Sequence, residues 1–319
     1  MSVIQHDKSV SRWDPSIRLE APLTCRKARQ VEVTSDLFHQ DVPDEFIARV
    51  FATMAAAPRH TFLILTKRPG RMASLLADEA FPGEVAGHLF ALAVGDDSRV
   101  DDAVLEQASN PWKQWPLPNV WLGVSVESQR WAEVRTPKLL ACPATVRFLS
   151  IEPLLGPVRL RSWLVQTACD KCTQGVMDAT NDHLHGRCRH RCHPRHRIGW
   201  VIVGGESGPK ARPMHPQWAR ELRDECQAAG VAFFFKQWGE WAPAGSLYDT
   251  THTRLLGPDG QLHGAPWTGW ARERPELEPV RRLGRKRAGR QLDGRTWDEF
   301  PAVQTGRPRV GSPGGEWAR

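Results

Sequence analysis

Short apolar runs recur along the chain, each closed by glycine, proline or charge. They are QVEVTS at 30–35, TFLIL at 61–65, VWLGV at 120–124, TVRFLSI at 145–151, WVIV at 200–203 and VAFFF at 231–235. Runs of this length, rich in β-branched and aromatic residues, predict strands. Amphipathic or helix-sized segments separate them. Asp44 follows Pro43 and opens DEFIARVFATMAAA, where Phe46, Ile47, Val50 and Phe51 share one face. A helix is expected around Gly70 to Leu76, and another over Arg130, Trp131 and Val134, with Pro137 to Ala141 after it. Gln217 to Ala229 repeats Trp218, Leu222, Cys226 and Ala229 near a 3.6-residue period, and Gly230 stops it. Residues 77–118, rich in Gly, Asp and Pro and holding PWKQWPLP, read as a helix fragment plus a long loop.

This alternation predicts an α/β fold with a parallel sheet: a partial or open TIM-like (βα) barrel. Flavodoxin-like and doubly wound arrangements also fit. The expected organisation is an N-terminal extension over 1–29 and a partial barrel over 30–241, interrupted by a polar Cys/His-rich insert at 166–197. A basic C-terminal region follows over 242–300, where Trp297 and Phe300 can dock the tail, and then a disordered tail over 301–319.

The segment GWVIVGGESGPKAR at 199–212 is the hub. A buried strand that stops at two glycines and an acid presents a ligand-facing edge. The other strand ends do the same. Asp36 and His39, Lys67 and Arg68, Ser125 and Glu127, Glu152, Glu206 and Ser207, and Lys236 and Gln237 would converge on one mouth. Lys67, Arg68, Glu127, Glu152, Glu206, Ser207 and Lys236 are therefore candidate cofactor-binding residues. The carboxylates suit an ammonium or ribose hydroxyl, and the cations suit a carboxylate or phosphate. Salt bridges that merely lock a barrel mouth are the competing reading. No catalytic pair stands out. Gly204-Gly205-x-x-Gly208 is not a dinucleotide fingerprint, since it lies late in the chain and runs into Pro209. No phosphate-binding GxxxxGK[ST] stretch occurs.

Composition adds partners and compartment. Across 319 residues the net charge is +7 and the isoelectric point about 9.2. That balance permits nucleic acid as a partner. The segment VRRLGRKRAGR at 280–290 concentrates it. Fourteen tryptophans accompany one tyrosine, several of them in loops where an indole can stack on a base. No run of about eighteen apolar residues exists, and the first residues lack the apolar core of a leader, so a cytoplasmic protein with no membrane span is expected. Cys169-x2-Cys172 and Cys188-x3-Cys192 place two thiolate pairs in the insert, which predicts a structural zinc on those four residues. An iron–sulfur site and unliganded cysteines are the alternatives.

At this point the chain resembles a known family. TSDLFHQDVPDEF at 34–46, ILTKRP at 64–69, WLGVSVES at 121–128, FLSIEPLLGPV at 148–158, VIVGGESGPKARPMHP at 201–216 and FFFKQWGEW at 233–241 look like the phage Gp37/Gp68 family (DUF5131). The resemblance implies a radical S-adenosylmethionine-like relative with a partial TIM barrel. It implies S-adenosylmethionine at the mouth, held through the residues named above. Typical members also carry an early Cys-x3-Cys-x2-Cys loop for a [4Fe-4S] cluster. Here Cys25 is the only early cysteine, so a [4Fe-4S] cluster in this chain alone is not expected. The expectation is a truncated or degenerate radical-enzyme relative, its open barrel edge covered by residues 1–29, the tail or a protein partner. A non-catalytic, zinc-containing nucleic-acid-binding module is the alternative, and a cluster-free hydrolase or lyase a third.

Overall fold

The computed structural model describes residues 19, 21–33, 36–94, 115–164, 197–244, 252–264 and 274–302. Six strands form one parallel sheet in strict sequence order: β1 (Gln30–Val33), β2 (Thr61–Thr66), β3 (Val120–Ser125), β4 (Val146–Ile151), β5 (Trp200–Gly204) and β6 (Ala232–Gln237). Helices lie between them: α2 (Asp44–Ala56), α3 (Pro69–Ala77), α4 (Phe81–Val94), α5 (Gln129–Ala141), α6 (Arg161–Leu164) and α7 (Pro216–Ala229), with a short α1 (Ala21–Thr24) before β1. Every residue of β3 and β4 is buried, as expected of parallel strands covered on both faces.

The period-two rule divides each strand between two cores. Val31 and Val33, Phe62 and Ile64, Leu122 and Val124, Phe233 and Phe235 face the helices and join the main core. The intervening Leu63, Trp121, Phe148, Trp200 and Phe234 form a second cluster on the opposite face. Glu32 of β1 and Lys236 of β6 line the same small cavity over that face. Strands at opposite ends of the order meet there because the sheet curls into a half-barrel. At Gly123 a Cβ would stand 2.3 Å from the Phe148 ring, so the missing side chain on β3 is what lets the aromatic filling in.

The far edge of the half-barrel is covered from within the chain. Trp297–Phe300 runs antiparallel along β6, with a bridge between Phe234 and Asp298 and a 2.9 Å hydrogen bond from Phe235 N to Trp297 O. Phe300 packs on Trp200 at 5.1 Å between ring centroids, and the Trp200 indole donates to Glu299 O at 2.9 Å. At the other edge, β1 has only β2 as a strand neighbour among the described residues. A second, antiparallel sheet of order β7-β10-β8-β9 comprises β7 (Trp241–Pro243), β8 (Thr253–Leu256), β9 (Leu262–His263) and β10 (Glu278–Arg282). Trp218 of α7 anchors it, donating to Pro258 O at 3.1 Å. The chain then forms α8 (Arg285–Ala288) and a hairpin of β11 (Gln291–Leu292) and β12 (Arg295–Thr296).

Several expectations need adjustment. The helix fragment after residue 77 is a complete helix, α4. It is apolar on most sides, which hides its period from a pattern search. Pro137 lies inside α5 rather than after a break. It forfeits one backbone hydrogen bond, and the buried Arg147 guanidinium binds the carbonyls of Leu139 and Cys142 at the helix end. Among the described residues no helix is long and apolar enough to cross a membrane. The insert at 166–197 lies outside the described residues apart from Arg197, as do most of the extension and the tail.

Candidate functional site

The carboxyl ends of the strands do bring the predicted residues to one rim, but in separate charge-paired groups. Lys67, just past β2, meets Glu127, just past β3, at 2.6 Å. The second Glu127 oxygen takes Arg135 of α5 at 2.9 Å. Burial opposes ionisation of Glu127, but the Lys67 hydrogen bond and the charges of Lys67 and Arg135 outweigh it and hold its pKa below the ordinary value. Arg68 pairs with Asp36, which also accepts from the Thr66 hydroxyl and from Lys67 N.

Glu152 is the centre of the second group. Lys236 Nζ and Gln237 Nε2 each reach one of its oxygens at 2.8 Å. Gln237 also donates to the Ser207 hydroxyl at 3.4 Å. A Cβ on Gly204 would stand 2.9 Å from the Glu152 carboxylate, so glycine there keeps that seat open. Glu206 forms a third group with Arg212, two parallel contacts of 2.8 Å in a fork geometry. Those hydrogen bonds lower the Glu206 pKa against a smaller opposing effect of burial. His39 shapes its own loop: Nδ1 accepts from Asp41 N at 3.3 Å, and its carbonyl receives Arg71.

Glu32, Ser150, Glu152 and Lys236 are the polar lining of the cavity over the concave face, and Phe148, Trp200 and Phe234 its aromatic lining. Its volume is about 30 Å³, room for a water molecule or two. Arg135 was missed by sequence reasoning, because the turn from β3 into α5, and no local spacing, brings it to Glu127.

The cofactor expectations are corrected here. Among the described residues no group of three or more His, Cys, Asp or Glu side chains could hold a metal ion. The predicted zinc ligands Cys169, Cys172, Cys188 and Cys192 lie outside the described residues, and the described residues offer no other ligand set for zinc. The described cysteines do not fit a [4Fe-4S] cluster either. Cys25 follows α1 and contacts Lys27 O, Cys142 ends α5, and Cys226 lies on the buried face of α7. Burial pushes the Cys142 thiol up to about 12 and raises Cys226 as well, opposite to what a thiolate ligand needs.

A second feature adjoins the rim. Beyond Gly204 the chain turns through Gly205, where a Cβ would meet Trp238 O at 1.9 Å, and past Gly239, whose φ is +83°. These two loops pass backbone against backbone. On their outer side Ser207, Gly208, Glu240 and the α8 residues Arg285, Lys286 and Arg287 line an open cleft of about 670 Å³. Arg282 fixes the cleft wall by donating to Gly208 O at 3.0 Å and Pro209 O at 2.6 Å. Glu240 takes Gly208 N at 3.2 Å. Arg285, Lys286 and Arg287 are exposed, and among the described residues none has an ion pair or hydrogen-bond partner through its side chain.

A curled parallel sheet with charged strand ends and helices on its convex face defines the class: a (βα) half-barrel. The sequence profile of the family described as "Protein of unknown function (DUF5131)" matches residues 4–301, and the chain belongs to that family. No curated protein and no solved structure matches the chain.

Proposed function

We propose that this chain is a non-catalytic nucleic-acid-binding protein, with Arg285, Lys286 and Arg287 as its principal phosphate contacts. The observation that carries this reading is that three adjacent exposed cations line an open cleft and form no ion pair among the described residues, the one carboxylate of that cleft, Glu240, being engaged by Gly208 N. Cations held this way are free to displace the counterions of a phosphate backbone. The mouth supports the same conclusion from the other side, because its carboxylates and lysines already neutralise one another. The motif resemblance to the phage Gp37/Gp68 family supports a radical-enzyme ancestry for the scaffold, and the activity proposed here does not draw on it.

Fluorescence anisotropy with labelled DNA across a salt series tests the proposal. Binding is expected at low salt and falls steeply as salt rises. The triple variant Arg285→Gln, Lys286→Gln, Arg287→Gln flattens the log–log slope by about 2 to 3, close to one unit per lost phosphate contact. Absent binding at low salt, or a triple variant with the wild-type slope, would overturn it.

A further inference from the structure

Trp131 stands in the first turn of α5, at the rim where β3 ends, and 37% of it is exposed. It is not a loose surface indole. The guanidinium of Arg135 lies 4.1 Å from its ring centroid on the protein side, and Arg135 is itself only 7% exposed. That guanidinium is fixed in turn by Ser125 O at 2.7 Å and Glu127 at 2.9 Å. A ring backed by an immobilised cation is held in place, so little conformational freedom remains to be lost when a partner stacks on it. The exposed Arg130 lies 5.6 Å from the same ring. A partly exposed indole flanked by cations is an element of single-strand binding surfaces.

We infer that Trp131 is a stacking platform for one unpaired base, so that the preferred ligand is single-stranded nucleic acid. The inference rests on the nucleic-acid reading above and narrows it. A base in a duplex is already stacked on both faces and does not offer one to an indole on a helix surface. The α8 cleft and Trp131 both lie beyond the carboxyl ends of the sheet, after β5 and β3. Two strand spacings, about 10 Å, separate those strands. A single strand that spans from one to the other would set its phosphates at α8 and a base at Trp131.

The test compares a labelled oligothymidylate with a duplex of the same length. Trp131→Ala is expected to weaken the single strand between about fivefold and a hundredfold, the usual range for one stacked base, and to leave the duplex unchanged. Trp131→Phe retains most of the affinity. An independent readout uses the wild-type chain: ultraviolet crosslinking to an oligonucleotide carrying 5-iodouracil, with peptide mapping, places the adduct on the 129–141 helix. Equal losses on both ligands, or an intact single-strand affinity with no adduct in that helix, overturn the inference while leaving the α8 result standing. Absence of any binding by the wild-type chain overturns both.

Discussion

The rim and the α8 cleft are built from similar side chains and use them in opposite ways. At the rim Lys67 and Arg135 meet Glu127, Lys236 meets Glu152, and Arg212 meets Glu206. Their charge is spent on holding loop to loop. In the cleft Arg285, Lys286 and Arg287 have no such partners among the described residues. The contrast separates charge that serves the fold from charge that is open to a ligand. A count of strand-end charges does not distinguish them, because each set is conspicuous in the sequence and only the pairing differs.

That division can be broken first at the seam between the two regions. Gly239→Ala puts a Cβ 2.2 Å from Glu206 O at a φ of +83°. A loss of at least about 3 kcal/mol is expected, since both backbone strain and a backbone clash must be relieved. Chemical denaturation reads it, and an unchanged midpoint would refute the tight crossing. Next comes Arg135→Met, which leaves Glu127 half-paired at the rim. The expected loss is about 1 to 3 kcal/mol, because Glu127 keeps Lys67 while its second oxygen and Ser125 O lose a buried donor.

Acid titration acts on the rim, and also on Asp293 of the β11–β12 hairpin, where burial opposes ionisation but Arg223 and Arg220 outweigh it and lower the pKa. The folded-state pKa values of Glu127 and Glu206 are depressed, so their stabilisation is complete above the ordinary glutamate value of about 4.5 and is lost as pH falls through the lower folded values. The melting temperature therefore drops below that pH. Glu127→Gln should flatten the drop, and an identical acid profile in that variant would count against the assignment. The smallest effect belongs to the α8 triple glutamine variant. Its stability is expected to stay within about 0.5 kcal/mol of wild type, even as nucleic-acid binding falls, and a large destabilisation would place those cations on the structural side of the division.

The strands were legible because burial on two faces forces continuous apolar runs. TFLIL, VWLGV and VAFFF could be little else, and the helix stop at Gly230, with its left-handed φ of 61°, was equally plain. The positions of Lys67, Glu127, Glu152 and Lys236 at strand ends were legible for the same reason. Their partners were not. Arg135 and Arg212 reach their carboxylates across turns whose geometry no local pattern records. The antiparallel sheet of β7 to β10 is legible only as short strand-like or looped stretches over residues 242–270, because its strands are short and polar, with Arg254 and Arg281 among them. Trp131 was noticed only as a helix residue. What makes it distinctive is the buried guanidinium behind it, a tertiary fact.

The segment Trp297–Phe300 has a consequence for how the protein is made. It supplies the neighbour of β6 and the ring that packs on Trp200, a residue ninety-nine positions earlier than its hydrogen-bond partner Glu299. During translation the sheet must wait, with β6 unsealed and its aromatic face uncovered, until residues 297–300 leave the ribosome. A nascent chain stalled in the preceding stretch carries a bare strand edge, the feature that invites pairing with other chains. Messages broken between the codons for Gln237 and Trp297 would thus yield sticky fragments rather than shorter working proteins.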